Sequence, residues 1–271
     1  EPYKIYNVLR EICYYADSYD DEFIEKFNAE HLQEPKVTPF PSELKEEAYT
    51  NYQNIVTDGL NRYNKYTENR NHNNAFYTLN CTFKKIDFYA EPQGYLRSVI
   101  EKSVNDLYNR NIPFEQRLLN GKSNLEKLSS YNKEKVLDDL YKIETFIPHK
   151  YSGKKENIRD NWEDSYSDIQ ELMEQSRFED ASNIILSNFY NLFYYNLVDE
   201  TISQPITNAL SQASGLNYNQ AAPILFKGMQ AIMEDTVLAN DFGMDLSKIM
   251  GEKMQESMAL VQQMMANFKT N

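Results

Sequence analysis

Apolar side chains recur at intervals of three and four residues along most of this chain, a spacing that places them on one face of an α-helix. The pattern runs through residues 2–28, 42–66, 96–107, 158–172 and 178–198. Only 8 glycines and 9 prolines interrupt 271 residues, so turns are few and the elements are long. The sequence therefore predicts an all-α protein of roughly seven to nine helices.

These helices are expected to pack as a multi-helix bundle or a two-layer helical body, with their apolar faces hidden from solvent. Segment 178–198 is the most apolar of them and is predicted to be the central helix. Segment 75–90 is ambiguous, because its apolar residues also alternate as in a strand. We expect a helix there, since an isolated strand would have no partner to pair with.

Composition changes along the chain and predicts two regions. Twenty of the 21 tyrosines precede residue 196, whereas eight of the nine methionines follow residue 228. We therefore expect a Tyr-rich helical body over 1–204 and a Met-rich C-terminal helical layer over 205–271 that packs on it. The polar, turn-rich stretch 148–157 is a candidate hinge within the body.

The net charge of −13 narrows the classes of partner. An acidic surface repels the phosphates of nucleic acids and of anionic lipids, so we expect no nucleic-acid partner. No run of 18 apolar residues occurs in the sequence, so no transmembrane segment is predicted either.

The first residues of the sequence bear on the cellular compartment of the protein. The chain begins with EPYKIYN and lacks an initial Met, which is compatible with a removed signal and slightly favours an extracytoplasmic protein, whether secreted, periplasmic or lipid-anchored. Cys13 and Cys81 both lie among apolar residues, where buried thiols are expected more often than a disulfide bridge. The triplet Asn80-Cys81-Thr82 matches a glycosylation sequon, but such triplets arise by chance in an Asn-rich chain.

A Met-rich segment near the C-terminus forms a single predicted helical face. Its apolar members, spaced by three and four residues, are Met250, Met254, Met258, Val261, Met265 and Phe268. Such a stripe fits a core face, a face for a protein partner, or a homodimer seam. A Cu(I) site is disfavoured because the segment has no His or Cys, and a nearly neutral polar face disfavours membrane binding.

No group of residues has the spacing of a catalytic or metal site. The three histidines, His31, His72 and His149, are far apart in sequence. Asp17, Asp21 and Glu25 fall at i, i+4 and i+8, as in the aspartate-rich helix of class I terpene synthases, but no second metal motif follows. We therefore assign no catalytic residue, cofactor or metal ligand, and read the acidic cluster as a solvated face.

The sequence is compatible with two functions. The first is a non-enzymatic interaction or scaffold protein, which should expose an apolar patch of several hundred Å². The second is a helical enzyme or small-ligand carrier with a Tyr/Phe-lined pocket and an acidic metal-binding face. That alternative should show a deep apolar pocket, convergent polar groups and a buried carboxylate.

Overall fold

Ten α-helices and two short strand pairs make up the part of the chain that the computed structural model describes, residues 2–30, 36–143 and 150–234. The helices are α1 (Pro2–Phe27), α2 (Ser42–Glu68), α3 (His72–Ala90), α4 (Gly94–Tyr108), α5 (Phe114–Ser129), α6 (Lys133–Asp138), α7 (Lys155–Glu174), α8 (Phe178–Tyr195), α9 (Glu200–Ala213) and α10 (Tyr218–Met233). The strands are β1 (Val37–Pro39), β2 (Tyr141–Ile143), β3 (Tyr151–Ser152) and β4 (Asn196–Leu197). The predicted helical class is confirmed, with more helices than expected.

Asparagine side chains start several of these helices. The side-chain oxygens of Asn71, Asn132 and Asn217 accept hydrogen bonds from backbone amides three residues later, at 3.1, 2.8 and 3.2 Å. Each bond satisfies one of the amides that the first helical turn leaves without a partner. At the other end of α3, Glu91 adopts a left-handed conformation and donates its amide to the carbonyl of Asp87.

The strands tie distant loops together rather than forming a sheet layer. β1 pairs antiparallel with β2, with Thr38 opposite Lys142. β3 pairs in parallel with β4, and the amide of Gly153 extends that pairing by donating to the carbonyl of Leu197 at 2.7 Å. Both pairs join segments that lie far apart in sequence, so they fix the chain between helices.

Two hydrophobic clusters form the interior of the described residues. The first is built from α2 to α6, and its fully buried side chains include Leu79, Phe83 and Leu125. The second is built from α7 to α10 and includes Phe189 and Ile206. Helix α8 packs against α3, α7 and α10, which confirms the central place that its apolar sequence predicted.

Polar side chains bridge α3 and α8 between the two clusters. Asn74 donates to Asp180 at 2.7 Å. One turn and a half further along, the Asn80 amide donates to Ser187 Oγ at 3.0 Å and to Asn191 Oδ1 at 3.1 Å. Buried amides cost free energy unless they are paired, so these bonds favour one register between the helices.

Several predicted boundaries can be compared with these elements. Segment 75–90 is helical, as expected. The predicted boundary at residue 204 falls inside α9, and both α9 and α10 contribute to the second cluster. Much of the predicted C-terminal layer lies outside the described residues, so the division into 1–204 and 205–271 stays a prediction. The candidate hinge over 148–157 contains β3 and the first turn of α7 among its described residues.

Close packing of α9 against α10 yields a stability prediction. A Cβ added at Gly228 would lie 2.6 Å from the Cβ of Ala209 and 3.2 Å from the carbonyl oxygen of Pro205. Neither atom can rotate away, so the helices must separate. Gly228→Ala should lower the free energy of unfolding in urea by about 1–3 kcal/mol. Asn208→Ala, on the exposed side of α9, is the matched control and should change it by less than about 0.5 kcal/mol.

Candidate functional site

Helix α1 turns its apolar stripe toward solvent. Eight large side chains, between 45% and 71% exposed, form what we call the α1 face: Ile5, Val8, Leu9, Ile12, Tyr15, Tyr19, Phe23 and Phe27. At about 100° per residue, they fall within an arc of about 120° around the helix axis. The helix itself was predicted, but the expectation that every apolar face is hidden was wrong for this one.

The α1 face is large for a surface of a single chain. With roughly 200 Å² for the surface of one large apolar residue, half exposure of eight residues gives on the order of 800 Å². The largest apolar patch of a typical monomer covers about 300–600 Å². The exposed rings also contact one another, with Phe23 stacked on Tyr19 and tilted against Phe27. The α1 face is therefore a continuous surface rather than a set of scattered side chains.

The opposite side of α1 holds the helix to the body through polar contacts. Arg10 is buried, lies over the ring of Tyr151 at 3.6 Å and donates to the Tyr151 hydroxyl. Glu25 accepts from Lys135 Nζ at 2.7 Å. Tyr14 packs next to α4, where burial and the nearby carboxylate of Glu101 raise its pKa to about 12.

Neither hydrophobic cluster, as the described residues form them, includes a side chain of α1. The orientation of α1 therefore follows from its polar anchors. Arg10 and Tyr14 are aligned on one side of the helix, at i and i+4, and their partners lie on the body. The apolar stripe occupies the other side and faces solvent.

Acidic residues flank the α1 face. The helix carries six acidic and three basic residues, a net charge of −3. Of the three basic residues, Arg10 is engaged with Tyr151, and Lys26 forms an ion pair with Glu22. Glu11 and Asp20 are exposed beside the stripe. The surroundings of this apolar surface are therefore negative.

A cavity of about 190 Å³ lies between α2 and α3. The buried side chains of Thr78, Cys81 and Thr82 line its inner part. Arg62 and Lys85 contribute two cationic groups, which are partly buried. The lining of this cavity is not the Tyr/Phe-rich one that a ligand carrier was expected to have.

A buried lysine occupies a separate cluster of aromatic rings. Lys84 is 1% exposed, and its ammonium lies 5.0, 5.2 and 4.7 Å from the ring centres of Tyr108, Tyr194 and Tyr195. It also donates to Asn191 Oδ1. Burial lowers the pKa of Lys84 to about 7, while the π-faces of the rings offset part of the cost of the buried charge. This lysine joins α3 to α8 and is closed off from solvent.

The Met stripe cannot be compared with the structure. Met250, Met254, Met258, Val261, Met265 and Phe268 all lie outside the described residues, so the C-terminal Met-rich helix and its partner face stay predictions. Of the three histidines, His72 is exposed at the start of α3, and His31 and His149 lie outside the described residues.

Both cysteines and the asparagine of the sequon lie within the described residues. Cys13 and Cys81 are both free thiols; Cys81 is buried as expected, whereas Cys13 is exposed on α1. Burial of both was therefore wrong, because Cys13 lies on a helix whose sides are largely solvated. Asn80 is fully buried and bonded to α8, so its side chain is not accessible to a glycosylating enzyme.

Among the described residues there is neither a metal site nor a membrane-spanning helix. Over residues 2–30, 36–143 and 150–234, no three His, Cys, Asp or Glu side chains converge in a way that could hold a metal ion. Within the same ranges, no helix combines the length and the apolar character needed to cross a membrane. Comparisons with protein-family models, with curated proteins and with solved structures found no match to this chain.

Because Lys84 is buried, we expect it to make the free energy of unfolding depend on pH, and replacing this lysine isolates its contribution. The folded-state pKa of Lys84, about 7, lies below its ordinary value of 10.5, so the unfolded chain binds more protons between those two values. Stability therefore rises with pH across that window. The free energy of unfolding, wild type minus Lys84→Met, should increase by about 2–4 kcal/mol from pH 7 to pH 10.

Urea unfolding of both proteins at pH 7, 8.5 and 10 measures this difference. Lys65→Met is the matched control, because Lys65 is exposed and its difference from wild type should stay flat over the same range. A flat difference for Lys84→Met as well would contradict the burial of its charge.

Proposed function

We propose that this chain is a non-enzymatic interaction protein whose α1 face binds an amphipathic helix with lysine or arginine beside its apolar stripe. The observation that supports the proposal is the outward orientation of α1, which exposes eight large apolar side chains. Exposed apolar surface costs free energy in water, and patches of this size are typical of binding sites. Aromatic residues, which the α1 face includes, are enriched at such sites.

The spacing of the α1 face favours a helical partner. Ile5, Val8, Ile12, Tyr15 and Tyr19 are separated by three, four, three and four residues. This is the alternation of a and d positions in a coiled coil, where the side chains of one helix insert between those of another. At 1.5 Å per residue, the stretch from residue 5 to residue 27 is about 33 Å long. A partner helix of about six turns would cover it.

Charge favours a basic partner. The net charge of α1 is −3 and that of the whole chain is −13, so lysines and arginines on the flanks of a partner helix would meet carboxylates such as Glu11 and Asp20. Charges at the edge of a coiled-coil seam select the partner and its orientation. The same charge opposes a second copy of this chain and an anionic membrane surface.

The Met stripe over 250–268 is a second predicted partner face, and the proposal does not depend on it. The alternative with an acidic metal-binding face receives no support from the described residues, in which Asp20 and Glu25 are exposed.

A designed peptide can test the α1 face. The probe is a 21-residue amphipathic helix with leucine at each a and d position and lysine on both flanks. Fluorescence anisotropy of the labelled peptide should give a Kd in the micromolar range. The double variant Ile12→Ser/Tyr19→Ser should raise this Kd at least about tenfold, because it removes the centre of the seam. Its free energy of unfolding should change by less than about 1 kcal/mol, since both side chains are exposed.

Control variants and peptides distinguish specific binding at the α1 face from non-specific hydrophobic binding. Leu119→Ser removes a comparably exposed leucine on α5, 57% exposed, and should leave the Kd unchanged. A peptide with glutamate in place of every lysine should bind at least about tenfold more weakly. Equal binding of both peptides, or an unchanged Kd for the double variant, would overturn the proposal. Sedimentation that shows a dimer abolished by the double variant would instead assign the α1 face to a second copy, and preferential binding to anionic vesicles would assign it to a membrane.

A further inference from the structure

The cavity between α2 and α3 has a chemical character of its own. Its lining residues recur every three or four positions on both helices, so it lies along the seam where the two helices face each other. Gly59 lets the helices approach closely, because a Cβ there would lie 2.5 Å from Thr82 Oγ1. The seam widens beside this contact and leaves about 190 Å³.

Two cations and one carboxylate line this space. The carboxylate of Asp58 is 61% exposed and its Oδ2 lies 3.8 Å from Arg62 Nη1, which is a loose pair in contact with water. Arg62 Nη2 donates to Asn183 Oδ1 at 2.6 Å, but Arg62 Nε is buried without a hydrogen-bond partner. Lys85 Nζ lies 5.4 Å from the centre of the Tyr190 ring. The lining therefore carries an excess of positive charge within an acidic protein.

The cavity is also lined by a buried hydroxyl that has no hydrogen-bond partner. Thr78 is 2% exposed, and its Oγ1 makes no hydrogen bond. By contrast, Thr82 on the next turn donates its hydroxyl to the carbonyl of Thr78 at 2.7 Å. A buried polar group left unpaired costs about 1–3 kcal/mol. A ligand oxygen in the cavity would satisfy Thr78 and recover that free energy.

Burial and neighbouring groups both act on the pKa values of the lining residues. For Arg62, burial lowers the pKa, but two neighbouring tyrosines and Asp58 raise it, so that the pKa as a whole is raised. Burial lowers the pKa of Lys85, and the like charge of Arg62 lowers it further, against opposing contributions from Cys81 and Asp58. Burial raises the pKa of the Cys81 thiol, so at neutral pH this thiol is uncharged and does not balance the cations.

The remaining lining limits the ligand to a small one with an apolar part. Ile55 and Cys81 present apolar surface beside the two cations. At about 30 Å³ for each water-sized group, the cavity holds about six non-hydrogen atoms. A guanidinium matches the two oxygens of a carboxylate better than it matches a single-atom anion.

We propose that this cavity binds a small monocarboxylate, whose oxygens meet Arg62, Lys85 and Thr78 and whose short alkyl chain lies against Ile55 and Cys81. The site is independent of the α1 face. It adds a small-molecule ligand to a protein otherwise proposed to bind a helix.

Butyrate, with six non-hydrogen atoms, is the probe for this site. Calorimetric titration of the full chain with sodium butyrate at pH 7 should give a Kd near or below 1 mM. Butyramide has the same shape without the charge and should bind at least tenfold more weakly. Inorganic phosphate tests the other small oxyanion class, and tighter binding of phosphate than of butyrate would overturn the carboxylate assignment.

Two near-isosteric variants locate the binding. Lys85→Met should weaken butyrate at least tenfold, and Thr78→Val should weaken it severalfold. Thr78→Val removes a hydroxyl without a hydrogen-bond partner, and Lys85→Met removes a charge that burial disfavours, so thermal unfolding without ligand should show a Tm no lower than that of wild type. Lys65→Met, which removes an exposed charge from α2 outside the cavity, should leave the Kd unchanged. Absence of butyrate binding at 20 mM, or equal binding by folded Lys85→Met, would refute the proposal.

Discussion

The contact between α3 and α8 is the constraint on which the rest of the described structure depends. It lies between the two hydrophobic clusters, and its bonds from Asn74 to Asp180 and from Asn80 to Ser187 pair the side-chain amides of two buried asparagines. Apolar burial is non-directional, whereas each of these bonds exists in one register only. Lys84 adds a buried charge to the same contact. The apolar faces of α2 to α10 thus supply most of the stability, and this polar seam sets their arrangement.

Helix α1 contributes no side chain to either described cluster, and its exposed apolar face is the basis of the proposed function. Arg62 and Thr78 line the cavity between α2 and α3, and Lys135 donates to Glu25 of α1. Because α1 is anchored through its polar side, the side chains of its apolar side are largely exposed. A fold whose two described hydrophobic clusters include no side chain of α1 can present this helix to another protein at little cost to its own stability.

Periodicity in the sequence predicted the elements well and their surroundings poorly. Spacing of three and four predicted the helices over 2–28 and 178–198, because any buried face must repeat at the helical pitch. The helix over 75–90 was predicted from context, since its apolar residues also alternate as in a strand. The spacing rule cannot tell which face is buried, and so the outward stripe of α1 was missed. Pro205 and Pro223 each lie inside a helix, although proline favours helix ends. The cavity at Lys85 had no sequence signal, because its lining comes from two helices and depends on their separation.

Covalent footprinting of the full chain tests the central claim most directly, since it reads the exposure of individual rings in solution. Photogenerated carbene labelling should modify Tyr19, Phe23 and Phe27 of the α1 face heavily. Phe83 and Phe189, which are fully buried in the two clusters, should remain nearly unlabelled. Protection of the three α1 rings to the level of Phe83, in protein shown to be monomeric, would contradict the outward orientation of this helix and with it the proposed docking surface.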